Sequence, residues 1–323
     1  MNITIIGCGA YSLAMAKRMA KNEDNKITIW TESKENALEF EKTNKIKGIY
    51  KDEVFSKNIT VTDSYEKALE ATGIIFLMTS SKFIKNTLED MVKFYNKKIP
   101  VIIGTKGIDN ENKKYNSILA NKILKTKNVA VIAGPSFAID ILNDAILALT
   151  VATRKRKIFK KMQNIFNDTR TVLKRSYDLK GVQLCSTLKN VYAIGSGILN
   201  GLGNPEATNS IYLTKVINEM YNIIYMLEDQ ETTILSFAGL GDTIMTCNDN
   251  KSRNYTYGVK LTAKSKTTAI NYLNKNTVEG YDACKTMVEI IKKNRIKAKL
   301  LITIYEILYE GKNCKELEKE LLK

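Results

Sequence analysis

Lys189 stands in a stretch that is otherwise apolar or small, GVQLCSTLKNVYAIGSGILNGLG (181–203), among Leu184, Leu188, Val191, Ala193 and Ile194. An amine on a buried helical stripe can take and return a proton once burial or neighbouring positive charge lowers its pKa. The same pattern also fits a lysine snorkelling from a core helix, stem packed and head in water. The chain contains no histidine. That excludes a Ser-His-Asp triad, a Cys-His pair, a histidine base and a His-ligated metal, and leaves proton transfer to Lys, Asp, Glu, Tyr or Cys. Next to Lys189, Asn190 and the small face Gly195, Ser196 and Gly197 read as a surface packed against a ligand.

Further candidates follow apolar runs. Lys106 in Thr105-Lys106-Gly107 and Ser136 in Gly134-Pro135-Ser136 sit where a turn at a strand's carboxyl end reaches a ligand. An ordinary turn explains either one taken singly. AGLGDTIMTCNDNKSRNYTYG (238–258) sets Asp242, Thr246, Ser252, Arg253 and Asn254 between glycines. Arginine occurs only seven times in the chain, so composition does not explain Arg253 in this Gly- and Asn-rich loop; its fork of donors suits a phosphate. NTVEGY (276–281) places Glu279 before a glycine at a helix entrance.

The elements that position these residues begin with MNITIIGCGAYSLAMAKRMAKN. Asn2 to Ile6 reads as a buried strand and Tyr11 to Lys21 as a helix with Leu13, Ala16 and Met19 or Ala20 inward. Gly7 and Gly9 between them permit a tight turn and a pyrophosphate at the helix N-terminus, although the usual third glycine is Ser12. Glu32 lies where an acid bonds the ribose 2′-hydroxyl of NAD, whereas Lys34 suits the 2′-phosphate of NADP; Glu32 is equally readable as a solvated loop residue. Apolar runs at 26–30, 58–62, 73–78, 100–104 and 128–134 look like strands of a parallel sheet, with 146–153 and 171–173 adding two more. Helical stretches between them include 81–95 and 116–124. Beyond Asp178 the periods are helical throughout. The expectation is an α/β fold: a Rossmann-like, doubly wound, mainly parallel sheet over 1–179, joined to an all-helical domain over 180–323, with the active site in the cleft between them.

A length of 323 residues suits two domains. No run approaches the roughly 20 apolar residues of a membrane span, and Met1 leads into a strand without a signal-peptide pattern. The five cysteines, Cys8, Cys185, Cys247, Cys284 and Cys314, are scattered without metal-ligand spacing, which fits a reduced cytoplasm and no metal. The net charge is +16, carried by 43 lysines and seven arginines spread along the chain, with the densest run at Arg154 to Lys161. This reads as a solvated basic surface rather than a nucleic-acid site, because no aromatic platform accompanies it.

Taken in order, GxGxxx (7–12), TKGI (105–108), AGPSFA (133–138), LKNVYAIGSG (188–197), GLGD (239–242), SRN (252–254) and VEGY (278–281) resemble the bacterial NAD(P)-dependent glycerol-3-phosphate dehydrogenase family. The resemblance runs from residue 1 to about 313, where YEGKN (309–313) matches the family's usual ending. It implies hydride transfer between NAD or NADP and C2 of glycerol 3-phosphate or dihydroxyacetone phosphate, feeding glycerophospholipid synthesis. Lys189 matches the proton-transferring lysine, Lys106 the lysine contacting cofactor and substrate, and Asp242 the aspartate that positions Lys189 and the substrate hydroxyls. Gly134, Ser136, Asn190, Thr246, Ser252, Arg253 and Asn254 fall at substrate-binding positions. Gly7, Gly9, Tyr11, Ser12, Lys106, Ala138, Arg253, Val278 and Glu279 fall at cofactor contacts, while the frequent use of NADP in the family's bacterial members pulls against the reading of Glu32. The implied partner is a phosphorylated triol or ketone, with no nucleic acid and no stable membrane insertion; a homodimer is left open. Departures are Ser12, Thr79 for a proline, and Ala207, Lys215 and Val216 for an Asn, an Arg and a Gly. The competing readings are a related two-domain dehydrogenase of a hydroxy acid or sugar acid, which would not need the SRN loop, and a non-catalytic nucleotide- or nucleic-acid-binding protein.

Overall fold

A computed structural model describes residues 1–46, 48–50, 53–109, 113–228 and 232–323. Two compact units divide the chain: residues 1–109 with 114–179, and residues 180–323 with the segment ending at Lys113. The first unit is built on eight strands, β1 (Asn2–Ile6), β2 (Lys26–Trp30), β3 (Ile59–Thr62), β4 (Ile74–Leu77), β5 (Val101–Ile103), β6 (Val129–Ala133), β7 (Leu147–Ala152) and β8 (Thr171–Ser176). They form one sheet in the order β3-β2-β1-β4-β5-β6-β7-β8, parallel except where β7 runs against β6. β4 and β5 are buried along their whole length, as expected of strands covered on both faces. Between the strands lie α1 (Ala10–Ala20), α2 (Lys34–Thr43), α3 (Tyr65–Leu69), α4 (Ile84–Met91), α5 (Asn116–Ile123), α6 (Ala138–Leu142) and α7 (Arg156–Ile165). The stretch 81–95 is a short α-helix between two 3-10 turns rather than one helix.

The direction of the strands decides where the chemistry of this unit falls. β1 ends before Gly7, β2 before Glu32, β5 before Lys106 and β6 before Gly134, so these residues share the carboxyl edge of the sheet. Arg18 fixes the helix that starts at that edge. It is fully buried at the far end of α1, donating to the carbonyls of Thr169 and Ala145 and pairing with Asp144 at 3.3 Å.

Among its described residues the second unit is helical: α8 (Leu179–Gly201), α9 (Glu206–Glu228), α10 (Asp242–Asn248), α11 (Arg253–Leu261), α12 (Lys266–Lys275), α13 (Glu279–Lys293), α14 (Lys299–Tyr309) and α15 (Glu316–Leu321). α8 is its axis. Every residue from Gly181 to Leu199 is buried, as for a helix surrounded on all sides. The small face expected to meet a ligand instead meets protein. A Cβ on Gly197 would stand 2.0 Å from the Tyr255 carbonyl oxygen, and one on Gly258 2.1 Å from that of Ile194. Glycines let α8 and α11 cross in backbone contact. The expected loop at 238–258 is likewise mostly helix: a π-helical turn (Phe237–Gly241) runs into α10, and Ser252 starts α11 by accepting from the Tyr255 N–H. Arg253 is therefore the first residue of a helix.

Candidate functional site

In the first unit the N-terminal turn of α1 is open. Gly7 has φ +112°, and a Cβ there would lie 3.0 Å from the Met78 carbonyl oxygen, so the turn admits only glycine without strain. At Gly9 nothing lies within 4 Å of a Cβ position. No side chain caps α1 and no acid stands in its first turn. The dipole of this 11-residue helix is thus unopposed by any acid of its own first turn. The Ser12 hydroxyl is buried without a hydrogen-bond partner among the described residues, as is the Thr79 hydroxyl at the end of β4. Burial pushes the Cys8 thiol up to about 11, so no thiolate stands beside the turn. A pyrophosphate fits this donor set.

Other residues gather nearby. The Lys106 ammonium lies 5.5 Å from the centre of the Tyr11 ring. Tyr11 and Ser136 hydroxyls are 3.4 Å apart, and Ser136 donates to the Gly134 carbonyl at 2.8 Å. Ala138 opens α6. Glu32 is exposed just beyond β2, where Ser33 caps α2 by accepting from the Asn36 N–H.

In the second unit Lys189 and Asp242 form an ion pair with both side chains 1% exposed. The pair is sealed. Thr246 donates to the Asp242 carbonyl at 2.6 Å and lies 3.4 Å from its carboxylate. The Cys247 thiol is driven far above its usual range by burial, so it stays neutral beside the pair. Asn190, the next residue on α8, donates to the Glu279 carboxylate at 3.3 Å. The Asn254 side-chain oxygen accepts the Gly280 N–H at 2.9 Å, leaving its amide nitrogen for a ligand. Val278 is buried immediately before α13. Arg253 is exposed and bonds no described residue.

Two supporting residues have roles that the sequence did not assign to them: Ser196 reads there as facing a ligand, and Glu219 has no role. Ser196, seven positions after Lys189 on the same face of α8, bonds the Cys247 carbonyl at 2.6 Å. α8 therefore holds α10 at both ends, by Lys189 at Asp242 and by Ser196 at Cys247. A lysine and a serine spaced i, i+7 were the available signal. Glu219 accepts the Tyr192 hydroxyl at 2.8 Å and the Leu300 and Leu301 N–H groups at the start of α14. Burial nevertheless raises its pKa. Of the departures, Lys215 donates to the Leu321 carbonyl at 2.9 Å, Val216 is fully buried and Ala207 is exposed.

Comparison with known proteins places the two units separately. The family model described as NAD-dependent glycerol-3-phosphate dehydrogenase N-terminus matches residues 2–159, and that of the C-terminus residues 178–319. A Mesoplasma florum protein named glycerol-3-phosphate dehydrogenase (NAD(P)+) is 32% identical over 319 residues, covering 96% of this chain and 94% of its own. A glycosomal glycerol-3-phosphate dehydrogenase (NAD(+)) of Leishmania mexicana is 28% identical, over 98% of this chain and 88% of its own. The crystal structure of glycerol-3-phosphate dehydrogenase from Coxiella burnetii shares the fold, with a TM-score of 0.91, 24% identity, and coverage of 100% of this chain and 98% of that one.

Proposed function

Because the chain belongs to the NAD-dependent glycerol-3-phosphate dehydrogenase family, we propose that it interconverts sn-glycerol 3-phosphate and dihydroxyacetone phosphate. NAD or NADP, when bound, supplies hydride exchange at substrate C2. The observation that carries the reading is the Lys189–Asp242 pair, both side chains 1% exposed, where a proton can be held away from water.

In oxidation the neutral Lys189 amine accepts the proton leaving the C2 hydroxyl; in reduction its ammonium returns one to the C2 oxygen. Asp242 orients the ammonium by a charge-assisted bond, and Thr246 steadies the turn that carries Asp242. Lys106 polarises the C2 oxygen. Arg253, with Ser252 and the free amide nitrogen of Asn254, anchors the substrate phosphate, and that binding energy sets C2 in place. Asn190, Gly134 and Ser136 complete the substrate contacts. Gly7, Gly9, Tyr11 and Ser12 take the pyrophosphate, Glu32 the ribose, and Ala138, Val278 and Glu279 the rest of the dinucleotide.

The enzyme works in the cytoplasm and supplies glycerophospholipid synthesis in this reading. No helix among the described residues is long and apolar enough to cross a membrane. The test follows NADH and NADPH absorbance with dihydroxyacetone phosphate. Oxidation that depends on that ketone supports the proposal. Silence with both nucleotides, alongside turnover of an unphosphorylated keto acid, would sink it.

A further inference from the structure

The positive charge, spread along the sequence, is gathered by the fold. Four segments, 93–98, 122–127, 154–161 and 174–175, hold 14 of the 50 basic residues and no acid. They carry 14 of the chain's 16 net positive charges. The strand order β5-β6-β7-β8 brings them to one edge of the sheet, opposite the edge bearing Gly7 and Lys106. Segments 93–98 and 122–127 enter β5 and β6, while 154–161 and 174–175 lie at the ends of the reversed β7 and of β8.

Named bonds tie the four together. The Asn128 amide donates to the carbonyl of Lys97 at 2.9 Å, and its oxygen accepts the Lys155 ammonium at 2.6 Å. Thr126 donates to the Lys97 carbonyl at 3.0 Å. Arg175 reaches the Thr153 carbonyl at 3.1 Å. Twelve of the fourteen side chains are exposed; Lys161 and Arg175 are half-buried. Among the described residues none of the fourteen forms an ion pair. Cations left unpaired at this density repel one another, so the face has something to gain from an external polyanion.

We propose that this face docks the protein peripherally on an anionic phospholipid bilayer. Two observations favour a lipid surface over nucleic acid. Eleven of the fourteen are lysines, compact point charges suited to a diffuse anionic plane rather than to forked readout of phosphates and bases. Exposed rings stand in the same face: Phe94, 45% exposed, between Lys93 and Lys97, and Tyr177, 64% exposed, under the Arg175 guanidinium at 4.5 Å. Basic residues with exposed aromatics are the make-up of a surface that rests on headgroups, and clusters of four to eight such cations suffice.

Flotation with phosphatidylcholine vesicles, with and without phosphatidylglycerol, tests this. The full chain should float only with phosphatidylglycerol, and less as salt rises. The variant R154E/R156E/K157E/K160E, which spares the hydrogen-bonded Lys155, Lys161 and Arg175, should bind at least about tenfold more weakly. A control with the same charge change, K275E/K293E/K297E/K315E, should keep most of the binding. Both should retain dihydroxyacetone phosphate reduction, which reports folding. Equal loss in both variants would reduce the effect to net charge and overturn the proposal. So would no flotation, or tighter binding to duplex DNA or RNA than to the vesicles at the same ionic strength.

Discussion

In the first unit the groups offered to a ligand are backbone N–H groups, small hydroxyls and one half-buried lysine at strand ends, around a glycine with open space beside it. In the second unit they include an ion pair with 1% exposure, enclosed by helices that touch through glycines. The first arrangement costs less to keep: these groups include no buried ion pair, only the Ser12 and Thr79 hydroxyls without partners among the described residues. The second is expensive: charges out of water are tolerated only while both partners are present. Substitutions should therefore weaken binding in the first unit and damage both chemistry and folding in the second. That contrast can be broken by experiment.

The largest effect belongs to Lys189. Lys189→Ala should lower kcat by roughly 10²–10⁴-fold, the range for a positioned acid–base group, with nucleotide affinity nearly unchanged. It should also cost about 3–5 kcal/mol of stability, since Asp242 is left buried without its partner. The double variant K189M/D242N separates the two losses. Denaturant unfolding should recover much of the stability while turnover stays lost. A folded single variant keeping more than half its activity removes Lys189 from the chemistry.

Arg253 tests the exposed side of the same unit. Arg253→Ala should raise KM for dihydroxyacetone phosphate by roughly tenfold or more, since charge-assisted bonds are worth about 1.5–3 kcal/mol each. Turnover of unphosphorylated dihydroxyacetone should change far less. Equal losses on both substrates would give Arg253 a different role, at the dinucleotide or in folding.

Glu219 sharpens the comparison from the structural side. Glu219→Ala leaves the Leu300 and Leu301 N–H groups and the Tyr192 hydroxyl without their acceptor, at a cost of about 1–3 kcal/mol. The pH dependence has a definite sign. Burial raises the folded-state pKa of Glu219 above 4.5, so between those two values the folded chain holds more proton than the unfolded one. Its contribution is complete below the unfolded value and declines as pH rises through the folded one. Unfolding curves of the parent and Glu219→Ala should lie further apart at pH 5 than at pH 7.5. Curves that draw together on acidification would contradict this placement of the carboxyl.

Much of this was legible in residue patterns. Strands buried on both faces leave continuous runs such as GIIFLM, and Gly7-Cys8-Gly9 between a strand and a helix can form few other turns. What could not be read depended on neighbours distant in sequence. Gly195, Ser196 and Gly197 have the same composition whether a ligand or a helix backbone approaches them; the approach of Tyr255 and Gly258 decides it. The region 238–258 looked like a loop because its helices are short and its glycines occupy a π-helical turn. β8 continues through Lys174 and Arg175 because it borders only β7, where charged side chains stay in water. The basic face needed the strand order itself.

Glu32 carries the smallest expected effect. Its carboxylate is exposed, held only by following β2 and preceding the Ser33 cap of α2. From there it can accept a ribose 2′-hydroxyl and repel a 2′-phosphate, while Lys34 at the start of α2 attracts one. The two nearly offset each other, so the chain should use both nucleotides with a slight lean to NAD. Water and salt screen an exposed charge, which caps the discrimination at less than roughly tenfold. Glu32→Ala should raise kcat/KM for NADPH relative to NADH, and the gain should shrink as ionic strength rises. An unchanged ratio at low salt would mean that Glu32 does not read the ribose, and that the first unit selects its nucleotide through the backbone alone.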